Sequence, residues 1–411
     1  MIGSLYSGIS GLKANTSAMA VIGDNIANVD TNGFKSARVS FANVFSSTLS
    51  QTHLQIGRGV VLSGVTPQWH AGTLENTNSA TDLSINGSGL FVVSHPNEGE
   101  VFYTRAGNFQ WDRNGHLASP DGLVVQGYSI DTAGNVGAIG NVALPNGTSA
   151  PSATTNMTFG INLSSDAADG TTFNTSITTF NSLGSEVILD LVFTRNGNVW
   201  DWAASVDPAV GTCAATGTIA FDTAGALDPT ASSASDTDPR GNPVIAITGL
   251  AGAVDPMEIT WTYLNEAGAS DGSITGYSGA SARTAQNQDG YSSGRLQSVS
   301  VDENGYFTGL YSNGSLIPFA QIALADFPSY AGLAKRGNNL YSESLSSGQP
   351  VIGPPNTASL GTIAPSTLEM SNVDLATEFV EMITTQRAFQ ANSKVISTSD
   401  EILAELLSIK R

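Results

Sequence analysis

Apolar residues near the start of the chain recur in alternating steps of three and four. This spacing places their side chains on one narrow stripe of an α-helix. Two positions of the stripe, Thr16 and Gly23, are not apolar, so the stripe is sparse for a helix that packs alone. The pattern predicts a helix over residues 2–26, with the stripe formed by Ile2, Leu5, Ile9, Leu12, Thr16, Met19, Gly23 and Ile26.

The C-terminal end carries a stronger helical pattern. From Asn372 onward apolar residues recur at helical spacing, and residues 366–411 contain neither Gly nor Pro. A helix of about 35 residues would be about 50 Å long and would need a partner. That partner is either the N-terminal helix, in a simple hairpin, or a helix of a neighbouring subunit. We favour the second and predict a coiled-coil subunit interface formed by Leu5, Ile9, Leu12, Met19, Ile26, Val380, Ile383, Val395, Ile402, Leu406 and Ile409.

Between the two ends the pattern changes to short apolar runs separated by Gly-rich turns, which is typical of β-strands. The segments 112–115 and 302–305 both end in Asn-Gly, which predicts type I′ hairpin turns with two positive φ angles. Short strands at this spacing favour β-sandwich or β-barrel domains. Strands are predicted at 90–93, 101–104, 109–111, 123–128, 161–163, 171–180, 187–194, 200–205, 244–248, 258–263, 296–301 and 306–311.

The segment 151–282 differs from the rest of the chain in charge, because it holds 14 acidic and only two basic residues. We predict that it is a β domain inserted into another β domain, which is itself inserted between the terminal helices. Such nesting is possible because the termini of a domain often lie close together. The predicted fold class is multidomain and mainly β with α-helical termini: a terminal coiled coil and two nested sandwich-like or barrel-like domains. The predicted parts are the N-terminal helix and linker (1–70), the first β domain (71–150 and 283–363), the inserted β domain (151–282) and the C-terminal helix (364–411).

Composition excludes several classes of protein. The net charge is −19, from 16 basic and 35 acidic residues, and a chain so poor in Lys and Arg is not expected to bind nucleic acid. A single cysteine, Cys213, rules out an internal disulfide framework. No apolar run approaches the ~18 residues of a membrane helix. Gly3, Gly8 and Gly11 interrupt the apolar core that a cleavable signal peptide needs.

Few residues suggest catalysis. The four histidines are scattered without metal-ligand spacing. The segment 268–272 matches the G-x-S-x-G pattern of a nucleophile elbow, but it lies in a Gly/Ser-rich loop with no helix after it. Ser270 is therefore not expected to be a nucleophile, and Cys213 has no basic neighbour that would activate it. We predict no catalytic residue, no metal site and no cofactor.

The segment 25–35 reads NIANVDTNGFK and resembles the signature of the axial proteins of the bacterial flagellum, which form its rod and hook. The preceding residues and the C-terminal segment SNVDLATEFVEMITTQRAFQANSKVISTSDEIL resemble the terminal helices of the same family. We expect Gly33 to supply a positive φ in the turn that follows the first helix. The residues that match the family motif are Asn25, Ile26, Ala27, Asn28, Gly33, Phe34 and Lys35.

Segments 102–128 and 287–315 resemble the hook-forming members of this family. The resemblance implies a structural subunit that polymerises into a curved, flexible tube. That tube would transmit motor torque as a universal joint and enclose the export channel. It also implies export through the flagellar type III apparatus without a cleaved signal peptide, and location in the extracellular hook. The implied partners are further copies of the chain, the distal rod protein, the hook cap protein and the first hook–filament junction protein.

Two alternatives stay open. A distal-rod protein resembles this chain at both ends and in the first β domain, but it lacks a large second β domain. A secreted β-rich adhesin or hydrolase could carry helical ends without polymerising.

Overall fold

The computed structural model describes residues 2–45, 57–96, 99–131, 134–145 and 147–409. An α-helix lies at each end, α1 (Ile2–Ala27) and α2 (Leu375–Ile409), as predicted. One short 3₁₀ helix spans Tyr330–Gly332. The remaining regular structure is β, which confirms the predicted class of a mainly β chain with helical termini.

The strands follow one another closely along the chain. Up to residue 141 they are β1 (Ala37–Phe45), β2 (Gly57–Pro67), β3 (Leu74–Asn76), β4 (Leu83–Asn86), β5 (Leu90–Ser94), β6 (Val101–Thr104), β7 (Gln110–Trp111), β8 (Leu117–Ala118), β9 (Val124–Ile130) and β10 (Val136–Asn141). From residue 156 to 288 they are β11 (Asn156–Asn162), β12 (Thr172–Phe180), β13 (Glu186–Asn196), β14 (Val199–Val206), β15 (Thr212–Cys213), β16 (Thr216–Ala220), β17 (Ser233–Ala234), β18 (Val244–Thr248), β19 (Met257–Trp261), β20 (Ile274–Thr275) and β21 (Ala282–Gln288). From residue 296 onward they are β22 (Leu296–Val301), β23 (Tyr306–Tyr311), β24 (Leu316–Ile322), β25 (Leu324–Asp326), β26 (Ala334–Gly337), β27 (Leu340–Ser342), β28 (Val351–Gly353), β29 (Thr362–Pro365) and β30 (Thr367–Glu369).

The chain forms two compact units. The first comprises the residues up to 144, residues 299–309 and the residues from 317 onward. The second comprises residues 145–298 and 310–316. Strands supply both units, whereas both α-helices belong to the first.

The main sheet has the hydrogen-bonded strand order β22–β23–β24–β9–β5–β6–β27–β26. Strand β5 is buried on both faces: Phe91 and Val93 pack into one apolar cluster, while Leu90 and Val92 pack into another. A strand buried on both faces reads as a continuous apolar run rather than an alternation. This is why the sequence LFVV at 90–93 signals a strand without a period of two.

The second unit is built from two sheets around a shared core. One sheet has the order β15–β18–β19–β11–β20 and the other β12–β13–β14–β16–β17. Along β13 buried and exposed residues alternate, so Leu189, Leu191 and Phe193 point into the core. Trp202 and Trp261 from opposite sheets meet there with ring centroids 5.4 Å apart. This arrangement is a sandwich, and among the described strands no sheet closes into a barrel.

The two predicted Asn-Gly turns form, but the predicted turn type is wrong. Gly115 and Gly305 have positive φ angles of 81° and 75°, while the preceding Asn114 and Asn304 do not have positive φ. A type I′ turn needs positive φ at both positions. In these turns an aspartate side chain accepts hydrogen bonds from the turn amides instead. Asp302 Oδ1, for example, accepts from the amides of Asn304 (3.0 Å) and Tyr306 (2.8 Å).

Candidate functional site: the terminal helix pair and the junction at its base

Helices α1 and α2 pack antiparallel within the first unit. The hydroxyls of Ser4 and Ser399 lie 3.5 Å apart at one end. At the other end Asn25 Nδ2 donates to Glu378 Oε1 at 3.0 Å. The two helices are thus in contact over most of the length of α1, although no loop joins them directly.

Two glycines of α1 allow this close approach. A Cβ atom built on Gly11 would lie 2.7 Å from Asn392 Nδ2, and one built on Gly8 would lie 3.0 Å from Ile396 Cγ1. A larger residue at Gly11 would displace the Asn392 side chain, and one at Gly8 would press on the Ile396 side chain. These glycines, which argue against a signal peptide in the sequence, therefore have a packing role in the fold.

The face of α2 that lies toward α1 is mostly polar or small. Its buried or half-buried members recur in steps of four and three, apart from one step of seven, as packing against one neighbouring helix requires. They are Glu378, Met382, Thr385, Asn392, Ile396, Ser399 and Leu403.

The α2 residues that the sequence predicts for the subunit interface lie elsewhere on the helix. Val380, Ile383 and Ile402 are 60 %, 50 % and 47 % exposed, and Val395 is similarly exposed. These four residues are called the α2 stripe below. They do not contact α1 as a buried seam, so α2 has one covered and one open side. The side chains of Leu406 and Ile409 lie outside the described residues.

The predicted interface residues of α1 are less exposed. Leu5, Leu12, Met19 and Ile26 are half-buried, whereas Ile9 is exposed. The structure thus brings most of the α1 set against neighbouring elements of the same chain and leaves the α2 set open.

The motif residue Asn25 ties three elements together. Its buried side chain accepts a hydrogen bond from the Ala37 amide and donates one to the Ala37 carbonyl, both at 2.9 Å. The same Nδ2 atom contacts Glu378 at the beginning of α2. Asn25 therefore fixes the end of α1, the first residue of β1 and the first turn of α2 relative to each other.

The turn after α1 has the predicted positive φ at Gly33, which is 68°. The Gly33 amide donates to the Glu369 carbonyl at 2.7 Å, and a Cβ there would lie 2.6 Å from the Ala106 amide nitrogen. Only glycine combines an unstrained positive φ with the absence of a Cβ atom. Asn28 closes the start of the turn by donating to the Asp24 carbonyl at 2.9 Å. Of the remaining motif residues, Ala27 ends α1 and Phe34 is buried.

The last motif residue, Lys35, belongs to a buried ion cluster of Lys35, Arg105 and Glu369. Lys35 Nζ lies 2.6 Å from Glu369 Oε1, and Arg105 Nε lies 2.5 Å from Glu369 Oε2. Lys35 and Glu369 are each 1 % exposed and Arg105 is 6 % exposed. Buried charges are tolerated only when they are paired and hydrogen-bonded, and here one carboxylate serves two cations.

The titration behaviour of the ion cluster follows from this environment. Burial lowers the pKa of the Lys35 ammonium below its ordinary value, although Glu369 opposes the effect. Burial alone would raise the pKa of the Glu369 carboxyl, but Arg105 and Lys35 together outweigh it and lower that pKa. Glu369 is therefore held as a carboxylate.

Asn372 and Asp374 complete the junction at the beginning of α2. Asn372 Oδ1 accepts from the Ser36 amide at 2.8 Å, and its Nδ2 donates to the carbonyls of Gln68 (2.8 Å) and His70 (3.0 Å). Asp374 caps α2, since its carboxylate accepts from the Ala376 amide at 2.9 Å. The chain segments that lead out of α1 and into α2 are thus bound to each other.

Sequence reasoning missed Arg105, Glu369 and Asn372. Arg105 follows an apolar strand and Glu369 precedes a helix, where charged residues are ordinarily exposed. The one available signal was scarcity: only 12 % of residues are charged. An isolated Arg or Glu beside an apolar run was therefore a candidate for a buried pair.

Ser270 and Cys213 both belong to the second unit. Ser270 lies in a turn where its hydroxyl accepts from the Gly272 amide at 3.2 Å. Burial raises the pKa of the Cys213 thiol. In the described part of the chain, no three His, Cys, Asp or Glu residues are grouped closely enough to hold a metal ion. No helix in that part is both long and apolar enough to span a membrane.

Four protein-family models match successive parts of the chain. They are described as flagella basal body rod protein (residues 5–35), flagellar hook protein FlgE/F/G D1 domain (84–169), flagellar basal body protein FlaE D2 domain (146–291) and flagellar basal body rod FlgEFG protein C-terminal (364–409). The first of these covers most of α1 with its motif and the last covers all of α2, so the helix pair and its junction define an axial protein of the flagellum.

Relatives over the full length identify the family within this class. The chain is 35 % identical to the flagellar hook protein FlgE of Borreliella burgdorferi, with all of both chains covered. It is 33 % identical to the flagellar hook protein FlgE of Escherichia coli, with 98 % of both covered. The chain belongs to the flagellar hook protein family, whose members are structural subunits of the hook.

A solved structure shows the same fold. The Helicobacter pylori flagellar hook protein FlgE2 aligns with 72 % of this chain and 100 % of its own, with a TM-score of 0.54 and 15 % sequence identity. The likeness in fold thus persists where little sequence likeness remains.

Proposed function

We propose that copies of this chain polymerise into the hook tube through their terminal helices. The open side of α2 supports this proposal: the α2 stripe leaves Val380, Ile383, Val395 and Ile402 exposed along a 35-residue helix. Singly exposed apolar residues are common, but a row of them along one helix is typical of an interaction surface.

Burial of the α2 stripe between subunits would contribute a substantial free energy of association. Complete burial of one Val or Ile side chain contributes about 1.5–3 kcal/mol. Four half-exposed residues repeated in every subunit would therefore stabilise a polymer strongly. Four of the seven residues on the face toward α1 are polar, whereas all four residues of the α2 stripe are apolar.

The finished polymer would act as a universal joint that transmits torque and encloses the export channel. Bending during rotation requires subunit contacts that shift at low cost, and polar, hydrated contacts meet that need. The second unit suits this role because it carries few charges, mostly acidic, on a sandwich rich in Ser, Thr and Asn. Solubility alone would also favour such a surface.

The proposed partners are the distal rod protein, the hook cap protein and the first hook–filament junction protein, besides further copies of the chain. We also propose export through the type III apparatus without a cleaved signal peptide. No catalytic role is proposed. A distal-rod role is less favoured because the match at residues 146–291 covers a second β domain. A monomeric adhesin or hydrolase would leave the α2 stripe without a purpose.

Electron microscopy of the purified chain, concentrated and salted to drive assembly, tests this proposal. Wild type should form curved hollow tubes, and Ile402→Asp should form none while the second unit stays folded. Ser393→Asp is the matched control, because this exposed residue lies nine positions away, on the opposite side of the helix. Straight, rigid tubes from the wild type would favour a rod subunit. Tubes from Ile402→Asp, or equal loss in both variants, would contradict the assigned stripe.

A further inference from the structure

The ion cluster joins three parts of the chain that are distant in sequence. Lys35 lies in the N-terminal segment (residues 31–37), Arg105 follows β6 in the body of the first unit, and Glu369 ends β30 in the C-terminal segment (367–372). We propose that Glu369 makes docking of the N-terminal segment depend on prior docking of the C-terminal segment, so that the two chain ends become ordered in a fixed sequence.

Arg105 is prepared for Glu369 without help from either end of the chain. Its guanidinium donates to the carbonyls of Gly89 (2.5 Å), Ile85 (2.8 Å) and Gly87 (2.8 Å). All three carbonyls belong to the body of the first unit. The Nε atom of Arg105 is directed at the cluster and donates to Glu369. The body of the unit therefore presents one oriented cationic donor to the C-terminal segment.

Glu369 keeps partners when Lys35 is absent. Its Oε2 atom is bound by Arg105, and its Oε1 atom also accepts from the Gly72 amide at 3.0 Å. The backbone of the same segment is held by the pairing of β30 with β3, in which Glu369 lies opposite Leu74. The C-terminal segment can thus dock with its buried carboxylate satisfied.

Lys35 does not keep a counter-charge when Glu369 is absent. Apart from Glu369, its ammonium contacts the His70 carbonyl at 2.8 Å. An ammonium that is 1 % exposed, with no carboxylate beside it and Arg105 nearby, is strongly unfavourable. Docking of the N-terminal segment therefore requires the C-terminal segment to be in place. Without the N-terminal segment, the C-terminal segment loses neutral hydrogen bonds, such as the one from the Asn372 amide to the Phe34 carbonyl at 3.4 Å, but Glu369 keeps Arg105 as its counter-charge.

Backbone contacts carry the same dependence. The Gly33 amide donates to the Glu369 carbonyl, and the Ser36 amide donates to Asn372 Oδ1. Both acceptors belong to the C-terminal segment. The N-terminal segment thus loses its charge partner, one backbone acceptor and one side-chain acceptor together when the C-terminal segment is displaced.

Hydrogen–deuterium exchange of the full chain tests the order of docking. Exchange is followed at the amides of Gly33, Ser36 and Ala37. The wild type is measured both dispersed and polymerised, and the state in which these amides are protected is used for the comparison. Glu369→Gln should make these amides exchange at least about 100-fold faster, as expected when a buried ion pair loses one partner. Lys35→Met should leave the β3–β30 amides at their wild-type rate. Glu75→Gln, an exposed acid on β3, is the matched control and should change neither set.

The double variant Lys35→Met/Glu369→Gln is decisive, because it removes the unpaired ammonium. It should protect residues 33–37 better than Glu369→Gln alone does, and it should fold if Glu369→Gln does not. If the amides of residues 33–37 exchange as fast in the double variant as in Glu369→Gln, the effects of the two substitutions are simply additive. That result would overturn the proposal. Loss of β3–β30 protection in Lys35→Met, or wild-type chains without protection at 33–37 in either state, would also overturn it. None of these readouts requires that the hook assignment be correct.

Discussion

A Cβ atom at Gly11 would lie 2.7 Å from the side-chain nitrogen of Asn392. The two residues lie on opposite helices of the pair, and the Asn392 side chain occupies the space that a Cβ atom at Gly11 would need. Small residues in α1 therefore carry information about packing that a count of apolar positions does not contain.

Replacement of Gly11 by Ala should weaken the helix pair by about 1–3 kcal/mol, because the added methyl group overpacks the contact. Asn392→Ala in the same chain should restore most of the loss. Gly3→Ala is the control: nothing lies within 4 Å of its Cβ position, so better helix propensity should stabilise it by up to about 1 kcal/mol. Urea unfolding of assembled tubes, followed by helical circular dichroism, measures both effects. A Gly11→Ala chain as stable as Gly3→Ala would contradict the close packing.

Replacement of Asn25 by Asp should destabilise the junction by about 1–3 kcal/mol, because buried partners are left unsatisfied. The carboxylate keeps the acceptor for the Ala37 amide but loses the donor to the Ala37 carbonyl and to Glu378. It also places two carboxylates side by side. Asn43→Asp, an exposed residue of β1, is the matched control. Urea unfolding followed by helical circular dichroism measures the difference between the two variants. Equal unfolding midpoints would show that Asn25 does not tie these elements together.

The junction should become more stable as the pH falls from 7 toward about 4.5. Burial raises the pKa of Glu378 above its ordinary value of 4.5, despite the hydrogen bond from Asn25, and Glu381 and Asp374 add to the shift. A carboxyl whose pKa is higher in the folded state contributes stability below its unfolded pKa and loses that contribution as pH rises through the folded pKa.

Glu378→Gln isolates this effect, because it removes the charge and keeps an acceptor for Asn25. The variant should be more stable than the wild type at pH 7, and the difference should vanish near pH 4.5. Glu401→Gln, an exposed acid farther along α2, is the control. Thermal unfolding midpoints over this pH range provide the measurement. A Glu378→Gln chain that is less stable at pH 7 would show that the ionised form is favoured instead.

Excision of residues 153–290 should leave a polymer that forms but is straighter and stiffer. Ser152 and Tyr291 are paired, with the Ser152 amide donating to the Tyr291 carbonyl at 3.0 Å, so the cut ends are adjacent. The helices that are proposed to drive assembly remain. Curvature and bending stiffness of the tubes can be measured by electron microscopy. Tubes of normal curvature would remove the second unit from any role in bending.

Local patterns predicted the elements well. The helical spacing near the C-terminus located α2 to within a few residues, and the strands at 296–301, 306–311 and 244–248 have the predicted bounds. The positive φ of Gly33 followed from its place in a turn after a helix. The type I′ turn predicted at Asn304-Gly305 was wrong. The Asp302 side chain accepts hydrogen bonds from the turn amides, so a second positive φ is unnecessary.

The motif at residues 25–35 links the chain to flagellar axial proteins by resemblance. The composition and periodicity of the sequence determined the helical ends and the β-rich middle. These properties depend on residues a few positions apart, whose geometry is set by the period of a helix or a strand. Only the tertiary structure decided that Lys35 meets Glu369 across 334 positions, and that α2 turns a mostly polar face toward α1. Such contacts depend on the path of the whole chain, and a charged residue has no local pattern that names its partner.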